Sequence, residues 1–183
     1  PTPEGLYRHF RAIADSVKIP IMLYSIPGRC GIEIDVPTVA RLAADCPNIT
    51  SIKEAGGSVE RVSQLRAALP DSFEILSGDD SLTLPFLSAG AVGVISVASN
   101  IIPREVVHLV GSWLAGKPEG AAKLHRKWYP LFKALFVESN PTPTKAVLSW
   151  QGKMTSDVRL PLVPLSEANT PALRALAAGY GLI

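Results

Sequence analysis

The alternation of short apolar segments with longer amphipathic ones constrains the fold of this chain more than any other feature. Residues 19–26 (Ile-Pro-Ile-Met-Leu-Tyr-Ser-Ile) are almost continuously apolar and end at a Pro-Gly pair, which is typical of a strand buried on both faces in a parallel sheet. Similar segments follow at 49–55, 73–79 and 93–98, and helical patterns occur at 4–17, 36–44, 58–69 and 81–89. The sequence therefore predicts an α/β fold of βα units with parallel strands.

The pattern changes near residue 102, where strand signals stop. Further helices are predicted at 104–114, 118–137, 141–150 and 171–178, with a loop at 154–164. We therefore divide the chain into a βα array, 1–102, and a segment 103–183 that contains the last helix of the array and a helical C-terminal part. Four βα units are too few to close a barrel of eight. Because the chain starts in a helix without a methionine, the favoured prediction is the second half of a (β/α)8 TIM barrel whose first half precedes Pro1; an open sheet is the alternative.

Composition narrows the class of protein. Of 183 residues, 47% are hydrophobic and 19% charged, and the formal net charge is +2 with the basic residues scattered, which argues against nucleic acid as a partner. No membrane span is predicted, because no run of about 18 apolar residues occurs, and no secretory signal pattern is present. Cys30 and Cys46 lack the spacing of a zinc or redox motif. We therefore predict free thiols and a cytoplasmic location.

Lys53 is the strongest candidate for chemistry. It lies at the carboxyl end of the second predicted strand, just before a Gly-Gly-Ser turn. An ammonium group that loses hydration there gives readier access to the neutral amine, which can form a Schiff base with a ketone or an aldehyde. The alternative is a lysine whose stem follows the strand while its charged end reaches water.

Two further side chains are predicted near Lys53, because ligands of parallel α/β folds bind at the carboxyl ends of the strands. Tyr24 ends the first strand, one βα unit earlier. A phenol there can carry protons during imine formation, or it can simply satisfy its hydroxyl in the core. Arg29 lies in the Pro-Gly-Arg-Cys-Gly turn that follows. It can bind a carboxylate through two parallel hydrogen bonds, or be an ordinary exposed arginine.

Other signals are weaker. Gly78, Asp79 and Asp80 follow the third strand, and we interpret the two adjacent carboxylates as a helix cap rather than a metal site. Residues 56–58 (Gly-Gly-Ser) at a helix start can bind an anion, but they lack a longer glycine pattern. The fourth strand brings Ile95 to the same edge. The three histidines fall on predicted helices away from the strand ends: His9, His108 and His125.

Taken together, these segments resemble the dihydrodipicolinate synthase (4-hydroxy-tetrahydrodipicolinate synthase) group of the N-acetylneuraminate lyase superfamily. The resemblance covers essentially the whole chain, and the order and spacing of its segments are more specific than any single motif. The matching stretches are 23–31 (LYSIPGRCG), 52–55 (IKEA), 76–80 (LSGDD), 93–97 (GVISV), 135–143 (LFVESNPTP) and 159–162 (RLPL). Ser25 stands where the group more usually has an asparagine.

The resemblance implies a Schiff-base lyase that condenses pyruvate with L-aspartate semialdehyde in lysine and diaminopimelate biosynthesis, with no metal or organic cofactor. Lys53 would form the imine, Tyr24 would serve the proton relay, and Ile95 would contact pyruvate through its backbone. Arg29 would hold the carboxylate of the aldehyde, and its presence favours the synthase over the sialic acid lyases, which lack it. Gly78 is a further substrate-binding position. The implied assembly is a homo-oligomer, a tetramer built as a dimer of tight dimers.

The same resemblance implies that part of the site lies outside these residues. The group's first four βα units, its pyruvate-binding Thr-Thr pair and a second relay tyrosine would all precede Pro1. Two alternatives therefore stay open. One is a related pyruvate-dependent class I aldolase that acts on a keto-deoxy sugar acid or a sialic acid. The other is a catalytically incomplete fragment of the synthase.

Overall fold

The structure, a computed structural model, describes residues 1–183 and divides into two compact units, unit 1 (1–95) and unit 2 (96–183). Unit 1 contains, in chain order, α1 (Pro3–Ser16), β1 (Ile21–Ser25), α2 (Pro27–Cys30), α3 (Val36–Asp45), β2 (Ile49–Glu54), α4 (Val59–Ala68), β3 (Glu74–Ser77), α5 (Thr83–Ser88) and β4 (Gly93–Val94). Unit 2 contains α6 (Pro103–Leu114), α7 (Pro118–Ala134), α8 (Thr142–Trp150) and α9 (Thr170–Gly179). No helix is both long enough and apolar enough to cross a bilayer.

The four strands form one parallel sheet, as the alternating pattern predicted, and their order in the sheet is β1-β2-β3-β4. Every connection between neighbouring strands contains a helix, which is the crossover that parallel pairing requires. Tyr24 is in register with Lys53, and Lys53 with Leu76. The carboxyl ends of β1, β2 and β3 therefore lie side by side at one edge of the sheet.

The prediction that β1 is buried on both faces is wrong for this chain. Leu23 and Ser25 are 1% exposed, whereas Met22 and Tyr24 are 40% and 44% exposed. The reason is that the helices of unit 1 pack against one face of the sheet, so the side chains of β1 alternate between buried and exposed. The core on the covered face includes Val39 and Leu42 of α3, Val62 and Leu65 of α4, Phe86 of α5, and Leu23, Ile52 and Ile75 of the sheet.

Side-chain caps determine where several helices begin. Thr2, Asp35 and Ser58 each accept a hydrogen bond from the backbone N–H three residues later, at 3.2, 2.8 and 3.2 Å, and so satisfy a donor at the start of α1, α3 or α4. Asp79 accepts from Ser81 N at 2.8 Å and caps a 3-10 turn, Asp80–Leu82, before α5. The capping interpretation of Asp79 is confirmed.

The fourth strand is shorter than predicted. β4 contains Gly93–Val94 instead of 93–98, and a 3-10 turn forms at Ala98–Asn100. Its last ladder bond runs from Ile95 N to Ser77 O at 2.8 Å. Because β3 ends at Ser77, later residues have no strand partner and the apolar run cannot continue as sheet.

Unit 2 has no strand, as predicted after residue 103. Its helices bury an apolar core, and α7 continues through Pro130 to end at Ala134 rather than at 137. The loop predicted at 154–164 has no regular secondary structure. Its buried apolar side chains include Leu109, Leu131, Phe132, Leu135, Val147 and Leu173.

Candidate active site

Strands β1 and β2 bring Tyr24 and Lys53 side by side, as their spacing in the sequence predicted. The two residues are in-register neighbours on adjacent parallel strands, on the face of the sheet opposite the helices. Lys53 Nζ lies 4.0 Å from the centroid of the Tyr24 ring, which is a cation–π distance. A primary amine and a phenol in this position can together form an imine with a carbonyl compound and move the protons that imine formation requires.

The amine is less enclosed than its place on an apolar strand suggested. The Lys53 side chain is half-buried and Tyr24 is 44% exposed, because unit 1 has its helices on the other face. None of the salt bridges in the structure involves Lys53. The amine therefore lies on the aromatic ring and can be approached from the open face of the sheet.

Arg29 lies on α2, a short helix directly after β1, where the sequence predicted a turn. Pro27 starts this helix, and Gly31 ends it with a φ of 68°, a conformation that favours glycine. Arg29 is exposed in the last turn. The helix begins where β1 ends, so the backbone of Arg29 lies near the strand ends that carry Tyr24 and Lys53.

The ends of β3 and β4 contribute two backbone positions to the same edge. Gly78 N donates to Glu54 O at 2.7 Å, and a Cβ on Gly78 would lie 2.6 Å from Ala55 Cβ. Glycine is therefore needed for the close approach of the two strand ends beside Lys53. Ile95 follows β4 and is 39% exposed.

A row of buried polar residues, which was not predicted from the sequence, lies behind this edge. Ser25, Glu54 and Ser77 are the last residues of β1, β2 and β3, they lie in register, and their exposures are 1%, 0% and 0%. Side chains alternate along a strand, so these three point toward the helices while Tyr24 and Lys53 point away from them. A buried carboxylate requires a partner, and α4 supplies it.

Arg61 of α4 is that partner. Its Nε donates to Glu54 Oε2 at 2.8 Å, its Nη1 lies 3.0 Å from Glu33 Oε2, and its Nη2 donates to Ile34 O. The other Glu54 oxygen, Oε1, accepts from Gly56 N at 2.7 Å. A usable signal was present in the sequence, because Arg61 is the first cation after a carboxylate that strand periodicity places on the buried face.

The three histidines lie on helices, away from the strand ends. His9, His108 and His125 lie on α1, α6 and α7 as predicted, and both cysteines are free. Burial raises the pKa of the Cys46 thiol; burial, and then the charge of Arg126, lowers the pKa of His125. No three His, Cys, Asp or Glu side chains are arranged to hold a metal ion.

Known proteins match this sequence and this fold. Residues 1–179 match the model of the Dihydrodipicolinate synthetase family. The 4-hydroxy-tetrahydrodipicolinate synthase of Desulforamulus reducens is 51% identical over 163 residues, which are 89% of this chain and 55% of the relative.

Two solved structures share the fold. The 4-hydroxy-tetrahydrodipicolinate synthase of Methylacidiphilum fumariolicum SolV aligns with a TM-score of 0.96 at 56% identity. The alignment covers 97% of this chain and 59% of the synthase. The dihydrodipicolinate synthase of Aquifex aeolicus aligns with a TM-score of 0.98 at 44% identity and covers 100% and 62%. The chain thus spans 55–62% of the length of these relatives. From its sequence and its parallel α/β fold, it belongs to the dihydrodipicolinate synthetase family.

Proposed function

We propose that this chain carries the Schiff-base lysine of a 4-hydroxy-tetrahydrodipicolinate synthase, which condenses pyruvate with L-aspartate semialdehyde in lysine and diaminopimelate biosynthesis. The observation that carries the proposal is the position of Lys53 Nζ, 4.0 Å from the centroid of the Tyr24 ring at the carboxyl end of a parallel sheet. Membership of the family supports the same assignment.

The first half of the reaction uses Lys53 and Tyr24. The neutral amine attacks the ketone carbon of pyruvate, and the ketone oxygen leaves as water to give an imine. Tyr24 accepts a proton from the attacking nitrogen and returns one to the departing oxygen. The imine nitrogen takes up a proton, and loss of a methyl proton from the resulting iminium ion gives an enamine, with the nitrogen as the electron sink. This chemistry requires no metal or organic cofactor.

The second half uses the strand ends around the amine. The enamine carbon attacks the aldehyde carbon of L-aspartate semialdehyde, whose carboxylate is held by Arg29. The amino group of the semialdehyde then displaces Lys53 and closes the ring. Ile95 contacts pyruvate through its carbonyl oxygen, because its N–H is bonded to Ser77 O. Gly78, directly after β3, is a further substrate-binding position in this proposal.

The architecture we propose is the second half of a (β/α)8 barrel, residues 1–102, followed by the last barrel helix and a helical segment, 103–183. Support comes from the sequential parallel sheet and from relatives that are longer than this chain. The other barrel half would supply the Thr-Thr pair and the second relay tyrosine. The assembly would be a homo-oligomer, a dimer of dimers.

Borohydride reduction in the presence of pyruvate tests the central step. Reduction of the imine fixes pyruvate to the protein, and peptide mass spectrometry then locates the adduct. We expect one adduct, at Lys53, and none in the Lys53→Arg variant. The remaining lysines serve as internal controls. An adduct at another lysine, or none in a full-length protein that is otherwise folded, would refute the assignment.

The Arg29→Ala variant tests the choice of second substrate. Loss of a charged hydrogen-bonding partner costs about 1.5–3 kcal/mol, so kcat/KM with L-aspartate semialdehyde should fall roughly 10- to 150-fold. Turnover with a neutral sugar aldehyde should change little. Arg126→Ala, at an exposed site in unit 2, is the matched control. Efficient turnover of the sugar aldehyde and none of the semialdehyde would favour the keto-deoxy sugar acid aldolase instead.

A further inference from the structure

We propose that Arg61 is a positioning residue that fixes Lys53 and Arg29 relative to each other, acting through Glu54 and Glu33. This inference rests on the proposed function. Arg61 belongs to α4 and is 5% exposed, and it lies on the covered side of the sheet, so it reaches neither substrate. Its effect on the reaction is therefore transmitted through the two segments that it joins.

The first segment is the end of β2. Glu54 directly follows Lys53, and both of its carboxylate oxygens are used, one by Arg61 Nε at 2.8 Å and the other by Gly56 N at 2.7 Å. These bonds fix the backbone on which Lys53 is carried. A Cβ on Gly56 would lie 2.7 Å from Glu54 Oε1 and 3.2 Å from Glu33 Oε1, so glycine allows both carboxylates to reach this turn.

The second segment is the loop that carries Arg29. Ile34 N donates to Ser25 Oγ at 3.3 Å, which closes residues 25–34 into a loop at the end of β1. Arg61 also holds the end of this loop, because its Nη2 donates to Ile34 O and its Nη1 lies 3.0 Å from Glu33 Oε2. Helix α2 with Arg29 lies within this loop. One guanidinium thus fixes the loop of Arg29 to the strand of Lys53.

The chemistry of the contacts explains why arginine occupies this position. Its three nitrogens each contact a different acceptor: Glu54, Glu33 and the Ile34 carbonyl. A planar guanidinium supplies donors in these fixed directions, whereas an ammonium is a point charge that cannot reach all three. Burying a charged pair is often no more stabilising than burying apolar side chains. The position of Arg61 beneath the candidate site is therefore better explained by its holding two segments in a fixed arrangement than by a gain in stability.

The Glu33→Gln variant separates positioning from folding, because the Glu33 side chain is 43% exposed and the Glu54–Arg61 contact remains. Only the loop of residues 25–34, which carries Arg29, should become more mobile. The KM for L-aspartate semialdehyde should therefore rise roughly tenfold. The rate of borohydride trapping with pyruvate, which needs only Lys53 and its surroundings, should stay within about twofold. Glu60→Gln removes an equal charge from an exposed site on α4 and should change neither quantity.

The Arg61→Lys variant releases both segments at once. In the full-length protein it should slow trapping and also raise the KM for the semialdehyde, with the far-ultraviolet circular dichroism spectrum retained. The positioning role is wrong if Glu33→Gln behaves like Glu60→Gln, or if it weakens pyruvate trapping and semialdehyde binding equally. Either result would leave the proposed function standing, because the wild-type protein would still be active. If the wild-type protein forms no adduct at Lys53, the proposed function fails and the inference fails with it.

Discussion

The two units of this chain bury polar side chains very differently. Unit 1 buries Glu54, Arg61 and Asp80 together with five serines and threonines, whereas unit 2 buries Thr142 and Thr144 and no charged residue. In unit 1, three of these residues, Ser25, Glu54 and Ser77, are the last residues of three adjacent strands. Buried charge is costly, and in this chain it is concentrated behind the edge that carries Tyr24, Lys53 and Arg29.

Unit 2 keeps its ionised groups at the surface instead. Glu138 accepts hydrogen bonds from Ser166 Oγ at 2.5 Å and Asn169 Nδ2 at 2.8 Å, and these bonds, Ser166 first, lower the pKa of the Glu138 carboxyl. The helices of unit 2 are held together by apolar packing, for which the shape of the side chains matters more than their charge. We infer that changes to polar groups affect function mainly in unit 1, and the following predictions test this contrast.

The largest expected effect comes from Tyr24→Phe. The change keeps the ring on which Lys53 Nζ lies, 4.0 Å from the centroid, and removes only the hydroxyl of the proton relay. We expect kcat to fall about 10²- to 10⁴-fold, as measured in steady-state assays, with little change in thermal stability. Tyr129→Phe in unit 2 is the control, because Tyr129 is 45% exposed and Tyr24 44%. Equal activities for the two variants would remove Tyr24 from the relay.

The next largest effect concerns the buried charge itself. Arg61→Met leaves the carboxylate of Glu54 buried without its cation, which should lower the free energy of unfolding by about 3–5 kcal/mol. In unit 2, Arg174 Cζ lies 5.4 Å from the centroid of Trp150 on an exposed surface, so Arg174→Met should cost less than about 1 kcal/mol. Urea unfolding measures both.

A double variant checks the cause of that loss. If the unpaired carboxylate is responsible, Glu54→Leu combined with Arg61→Met should be more stable than Arg61→Met alone. A double variant that is no more stable would mean that lost packing, and not the unpaired charge, explains the loss.

Smaller changes in stability, of opposite sign in the two units, are expected when alanine replaces one glycine in each. An added Cβ at Gly78 in unit 1 would lie 2.6 Å from Ala55 Cβ and 3.1 Å from Glu54 O, so Gly78→Ala should destabilise the protein by about 1–3 kcal/mol. At Gly111 in α6 an added Cβ meets nothing within 4 Å. Gly111→Ala should therefore stabilise by about 0.5–1 kcal/mol. Calorimetric Tm values that move in the same direction for both would contradict this account.

The sequence predicted the features that depend on local spacing. The interval between Tyr24 and Lys53 corresponds to one βα unit, and a parallel crossover of that length makes the two strands neighbours in register. Caps such as Asp35 and Asp79 were also predictable, because a cap acts within three residues of itself. The alternation of strands and helices in unit 1 and the helical nature of unit 2 follow from hydrophobic periodicity.

What the sequence did not predict depends on partners distant along the chain. The exposure of Met22 is decided by which face of the sheet the helices cover, and the length of β4 by the end of β3 at Ser77. The Glu54–Arg61 pair is different: its members are only seven residues apart, but neither residue alone indicates its partner. Periodicity of two along β2 does place Glu54 on the opposite face from Lys53, so the strand pattern alone indicates that this carboxylate is buried and requires a cation.

The smallest expected effect is a pH dependence in unit 2. His125 Nδ1 is buried without a hydrogen-bond partner, and burial lowers the pKa of this imidazole from its ordinary value of 6.5. As the pH falls below 6.5, the unfolded chain binds a proton more readily than the folded one, so stability present at pH 7 is lost toward pH 5. Because His125 is only half-buried, its contribution to the free energy of unfolding should be below about 1 kcal/mol.

His125→Gln should reduce the difference in stability between pH 7 and pH 5 in urea unfolding, whereas His9→Gln, at an exposed site in unit 1, should leave this difference unchanged. An unchanged difference in His125→Gln would mean that the imidazole is hydrated in the folded protein, and the contrast between a polar unit 1 and an apolar unit 2 would then be weaker than we infer.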